Sequence, residues 1–135
     1  MVILEILHPP VSWVPSRVSK NGTYDPRQKI KKAFKNIIAS QYKGPIITDP
    51  VCVRMQFIFT PPKSVTKKSR ADMLEQMLIP TKSDCTNLQK LYEDCLKGIV
   101  IKDDRQVAMI LSEKAYGEVA KVMIIVKKLF TDGEC

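Results

Sequence analysis

Asp84, Thr86, Lys90, Asp103 and Asp104 are the residues of this sequence whose types and spacing could do chemistry together. Three carboxylates gathered without cationic partners repel one another and hold their protons more tightly, unless a divalent cation sits among them. Such hard oxygen donors suit Mg2+ or Mn2+. Lys90 would project from the first turns of a helix that begins near Asp84, in reach of a phosphate or of negative charge developing on one. Carboxylates, a divalent ion and a lysine are the parts of a phosphodiester-hydrolysing site, in which the ion activates water and steadies the leaving oxygen. The alternative reading has no ion: Asp84 caps a helix and Asp103-Asp104 form a turn.

The first reading needs the acids to meet in space. Leu88, Leu91, Tyr92, Cys95 and Leu96 form a stripe that predicts a helix over residues 87–97, ended by Lys97-Gly98. Its eleven residues rise about 16 Å at about 1.5 Å each. Gly98 then allows a reversal, and five extended residues, 99–103, cover about 16 Å in return at about 3.3 Å each. The expectation is that Asp103 or Asp104 lies beside Asp84, at the start of the helix. Thr86 is either the N-cap, since Thr86-x-x-Gln89 has the form of a capping box, or a weak metal ligand through its neutral hydroxyl; the two roles are compatible.

Around this unit the pattern predicts an α+β fold with α/β character: a mixed sheet with helices packed on it, forming one compact domain over residues 1–135. Residues 1–7 read as a strand stopped by Pro9-Pro10, with His8, the only histidine, as a loop-end residue. Residues 11–24 hold too many turn formers for a regular element, and Asn21-Gly22-Thr23 reads as a turn. Asp25-Pro26 opens a helix that runs to about residue 42. Its apolar face is Ile30, Ala33, Phe34, Ile37 and Ile38, with Lys31, Lys32 and Lys35 on the other side. Residues 51–60 alternate as a strand does, with Phe57 and Phe59 in the core. A short helix over 69–78 would be capped by Ser69 with Asp72 three residues on, and 107–111 and 119–126 read as strands with Gly117 between them.

Four widely separated cysteines without a CxxC pair or histidine cluster suggest reduced thiols rather than zinc or a disulfide framework. No run of about 18 apolar residues is present, and with no leader-like start the expectation is a soluble, cytoplasmic protein. The net charge of +8 is uneven: residues 1–83 carry 14 Lys and Arg against 5 Asp and Glu, while 84–135 carry 8 against 9. Such a surplus suits a polyanion, nucleic acid before membrane. Arg17, Lys20, Lys63, Lys67, Lys68 and Arg70 are the expected DNA contacts.

The segment Lys82-Ser83-Asp84-Cys85-Thr86-Asn87-Leu88-Gln89-Lys90, then Asp94-Cys95-Leu96-Lys97-Gly98, then Asp103-Asp104-Arg105-Gln106-Val107 resembles the signature of RusA-type Holliday-junction resolvases. In that family it runs K-P-D-x-D-N-L-x-K, D-A-L-x-G and D-D-x-Q-V. The resemblance is close over about 25 residues and extends more weakly to the Pro-Pro that ends the first strand, to KKSRADML and to the closing strands. It implies a bacterial or phage-encoded crossover junction endodeoxyribonuclease of DNA recombination and repair. Such an enzyme is a homodimer that uses Mg2+ or Mn2+ to nick opposed strands of a four-way junction. It makes Asp84 and Asp104 metal ligands, Asp103 the adjoining acid and Lys90 the active-site lysine. Asp94 has a counterpart too, and four residues beyond Lys90 it is placed to hold that amine by a same-face pair. Thr86 departs, standing where the family has its second aspartate. That departure motivates the competing expectation, a branched-DNA-binding protein that has lost cleavage; a basic assembly domain is a third.

Overall fold

The computed structural model describes residues 1–130. Its strands are β1 (Val2–Ile6), β2 (Arg17–Ser19), β3 (Gly22–Tyr24), β4 (Val51–Phe59), β5 (Val107–Tyr116) and β6 (Lys121–Lys128); its helices are α1 (Gln28–Gln41), α2 (Lys67–Leu74) and α3 (Cys85–Leu96). Four strands form one mixed sheet in the order β1-β6-β4-β5, and β2 and β3 form a separate hairpin. β6 is antiparallel to both β1 and β4, while β4 and β5 are parallel. The fold class is therefore α+β, as the pattern of strands and helices indicates.

Alternation decides which sheet face is covered. Leu4 and Ile6, Val51, Val53, Met55 and Phe57, and Val122, Ile124 and Val126 all point to one face and are buried there. α1 meets them with Phe34 and Ile38, and α3 with Leu88, Leu91, Tyr92, Cys95 and Leu96. Tyr92 is wholly buried, its ring stacked on Phe34 and tilted against Phe57 at centroid distances of 5.5 Å each. Its hydroxyl oxygen accepts from the Val11 amide at 3.0 Å. Burial pushes the phenol's pKa upward.

Several expectations need correction. Residues 17–24 are not irregular: the turn formers close a hairpin in which Ser19 pairs with Gly22, and Gly22 takes a φ of 109° that favours glycine. α2 begins at Lys67, not Ser69, because the Thr66 hydroxyl accepts from the Ser69 amide at 3.1 Å and is itself the cap. β5 runs on to Tyr116, since it pairs in parallel with β4 over nearly its full length. Lys31 does not face solvent; only 15% of its side chain is exposed, between α1 and α3. Cys85 and Cys95 are free thiols, but Cys52 is disulfide-bonded, against the expectation of four reduced thiols; Cys135 lies outside the described residues. Among the described residues no helix is long and apolar enough to cross a membrane.

Replacing Tyr92 by Phe should lower the urea midpoint with little change in slope, by about 1–3 kcal/mol, the cost of leaving the Val11 amide unpaired. A phenol whose folded pKa is raised stabilises the fold fully below its unfolded value, about 10, and less as pH climbs past it. The difference between wild type and Tyr92→Phe should therefore shrink above about pH 10.

Candidate active site

The first end of α3 is set by Asp84. It is the N-cap, with Oδ1 accepting from the Asn87 amide at 2.8 Å and Oδ2 from the Asn87 side chain at 3.4 Å. Thr86, expected as the cap, is instead an exposed residue inside the first turn. Gln89, its supposed capping partner, donates to Glu93 at 3.0 Å and accepts from the Ser112 hydroxyl at 2.8 Å. Lys90 lies on the next turn with Nζ 3.5 Å from the centroid of the Trp13 ring, a cation–π contact worth about 0.5–2 kcal/mol. The Trp13 amide donates to the Asn87 carbonyl at 2.9 Å. Lys114 arrives from β5 and donates to the Ser83 carbonyl at 2.7 Å.

The other end of α3 carries a chain of alternating charges. Lys31 Nζ lies 2.9 Å from Asp25 and 3.1 Å from Asp94. Lys97 Nζ lies 3.5 Å from Asp94 and 3.4 Å from Asp104. Asp94 thus holds Lys31 and Lys97, not Lys90. Burial alone would lower the pKa of Lys31, but hydrogen bonds to Asp25 and Asp94 outweigh it and raise it. The Lys31 hydrogen bond holds the Asp25 carboxyl below its ordinary value. Burial pushes Glu93 up, and nearby Asp104 and Asp94 add to this. An open cavity of about 430 Å³ lies over the chain, lined by Asp25, Lys31, Lys32, Lys35, Asp94 and Lys97.

Asp103 belongs to this end as well. It caps the short 3-10 turn Asp104–Gln106, its side chain accepting from the Arg105 amide at 3.1 Å. The neighbouring Asp104 side chain, and after it the hydrogen bond from the Arg105 amide, hold its carboxyl below the ordinary value. The Gln106 side chain fixes the loop, donating to the Ile47 and Asp49 carbonyls at 2.7 and 2.9 Å and accepting from the Lys102 and Asp103 amides.

The acids are therefore split between the two ends of a twelve-residue helix, about 18 Å long. The expected return over residues 99–103 does not occur. Gly98, at a φ of 81°, starts a tight turn in which the amides of Ile99, Val100 and Ile101 all reach the Leu96 carbonyl. Val100 and Ile101 are buried under the helix, and Lys102 bonds to Ile47 instead of travelling back. β5 makes the return journey, and it delivers Ser112 and Lys114 to the first turns of α3. Among the described residues no three of His, Cys, Asp and Glu form a group able to hold a metal ion. Asp84, Thr86, Asp103 and Asp104, as placed in one chain, do not fit a three-carboxylate metal centre.

The expected DNA contacts are all exposed: Arg17 on β2, Lys20 in the hairpin turn, Lys63 before α2, and Lys67, Lys68 and Arg70 on α2. α2 buries none of its residues. Sequence reading missed Trp13, Lys114, Lys31 and Lys97. The signal for Lys114 was the extension of β5, whose alternation Ile110, Ser112, Lys114 turns the two polar residues toward α3. Trp13 and Lys31 left no local signal, since their partners lie far along the chain.

A family model described as Endodeoxyribonuclease RusA matches residues 8–127. The chain is also 33% identical over 107 residues to YqaN, an uncharacterized protein of Bacillus subtilis (strain 168), with 76% of this chain and 75% of that protein covered.

Lys31→Met would leave the partly buried Asp25 without a cation and Asp94 with Lys97 alone, and should destabilise the fold by about 1–2 kcal/mol, between the values for exposed and buried pairs. A carboxylate with a lowered folded pKa contributes stability above its unfolded value, about 3.9, that is lost as pH falls through the folded one. Urea melts at pH 7 and pH 3 should accordingly show a smaller acid loss in Lys31→Met than in wild type.

Proposed function

Because the chain belongs to the RusA endodeoxyribonuclease family, we propose that it is a structure-selective endonuclease that resolves four-way DNA junctions in recombination and repair. The match over residues 8–127 carries this reading. It takes in Asp84, Lys90 and Asp104, the three residues proposed as catalytic, together with the exposed basic hairpin and α2. Lys90 is suited to its part because no described carboxylate pairs with it, so its full charge can meet a phosphate oxygen as negative charge builds there. Lys63, Lys67, Lys68 and Arg70, with Arg17 and Lys20, would contact backbone phosphates and set the register of the duplex arms. A homodimer supplies two equivalent centres for two equivalent strands.

Dependence on Mg2+ or Mn2+ is part of the proposal through family membership alone. The described carboxylates of one chain do not converge, so they supply no ready cradle for an ion. Thr86 adds to the mismatch, offering a hydroxyl where a carboxylate would attract a cation. These two observations favour a second reading, a protein that grips branched DNA without cutting it.

A labelled four-way junction incubated with the purified protein separates the two. Cleavage in Mg2+ or Mn2+ that stops with a chelator, and that falls about 10²–10³-fold in Lys90→Ala, supports the nuclease. Retarded but uncut junction at every metal concentration supports the binding protein. Under either reading, Lys67→Ala with Lys68→Ala should weaken binding for all junction sequences. It should also reduce the slope of log affinity against log salt by about 1 for each phosphate that is no longer neutralised.

A further inference from the structure

The lysines along α3 are treated differently. Lys97 lies between Asp94 and Asp104, and Lys31, facing α3 from α1, between Asp25 and Asp94. Lys90 has an indole ring instead, 3.5 Å from its Nζ. A carboxylate partner would cancel the charge that a phosphate has to meet and would compete with that phosphate. The face of a tryptophan attracts an ammonium through its quadrupole and leaves the pair with its whole positive charge. Without a partner, a lysine on an exposed helix turn is spread over many rotamers, and ordering it costs free energy when the substrate arrives. The ring narrows that spread in advance without neutralising the amine.

Trp13 is well fixed for such a role, because three successive residues of its loop are tied down. The Val11 amide donates to the buried Tyr92 hydroxyl at 3.0 Å. The Ser12 carbonyl accepts from Arg27 Nε at 3.0 Å. The Trp13 amide donates to the Asn87 carbonyl at 2.9 Å, and Asn87 is the residue whose amide and side chain hold Asp84. The ring packs against the core from its half-buried position. Asp84, Asn87, Trp13 and Lys90 thus form one connected unit at the start of α3.

We infer that Trp13 is a positioning residue for Lys90, presenting its ammonium from the N-terminal half of α3 to a phosphate of the DNA. This rests on the proposed role of Lys90 in strand cleavage.

Trp13→Leu removes the π face, and Trp13→Phe keeps a weaker one. Single-turnover cleavage of a four-way junction should fall about tenfold in Trp13→Leu with junction affinity within about twofold of wild type, and Trp13→Phe should regain most of the rate. In a Lys90→Ala background, Trp13→Leu should cost nothing more. The chain has a single tryptophan, so its emission reports the contact without any cleavage: Lys90→Gln should change the emission of the free protein. Wild-type cleavage rates in Trp13→Leu would overturn the inference. So would a fall in affinity that accounts for the whole loss of rate, an additive effect in the double variant, or an emission unaltered by Lys90→Gln. A wild type that binds but never cuts removes the nuclease reading and with it any part for Trp13 in cleavage. The emission experiment tells that result apart from an absent contact.

Discussion

Tyr92 has no exposed surface, stacks on Phe34 of α1 and leans on Phe57 of β4, so the middle of α3 is clamped between the neighbouring helix and the sheet. The same side chain spends its one polar atom on the Val11 amide, which brings the loop that carries Trp13 to the first turns of the helix. A close-packed interior tolerates little sliding. With the centre of α3 fixed, its two ends are fixed too, and the groups of interest lie at those ends and not in the core.

The ends differ in electrostatic character. At the C-terminal end Lys31 and Lys97 each sit between two aspartates, and the five-membered chain from Asp25 to Asp104 links α1, α3 and the acidic loop. Charges satisfied in this way organise the packing of elements and are poorly placed to receive an anion. At the N-terminal end the acid is occupied by backbone and amide donors from Asn87, and the cation rests on an aromatic face. An anionic ligand would find a usable positive charge at that end.

The fold class was readable because the alternation of Val51–Phe59, the apolar run within Lys121–Lys128 and the apolar stripe of α3 are local patterns, and burial follows them directly. Family membership was readable from Asp84 to Val107 for a similar reason, since several residue types recur there at fixed separations. The path from Gly98 to Asp103 was not. Ile99, Val100 and Ile101 look like extended chain, yet it is more favourable to bury them as a turn against α3, where three amides share the Leu96 carbonyl. Lys31 looked like a solvent-facing residue of α1 because its partner Asp94 lies 63 residues away. Only the packing of the two helices brings that pair together. Asp84 and Thr86 both offered themselves as the cap because both are good capping types; the choice falls to whichever residue stands where the helix begins, and that is Asp84.

The sheet order also bears on how the chain assembles. β1 and β4 run parallel with a gap between them that β6, the last of the described strands, must fill. A chain emerging from the ribosome carries two unpaired inner edges until residues 121–128 are free, whatever α1 and α3 have managed to bury by then. Pairing at such long sequence separation is slow, and open strand edges invite strands from other molecules. Low concentration, or a chaperone able to shield those edges, would accordingly do more for the yield of native protein than any strengthening of the helices.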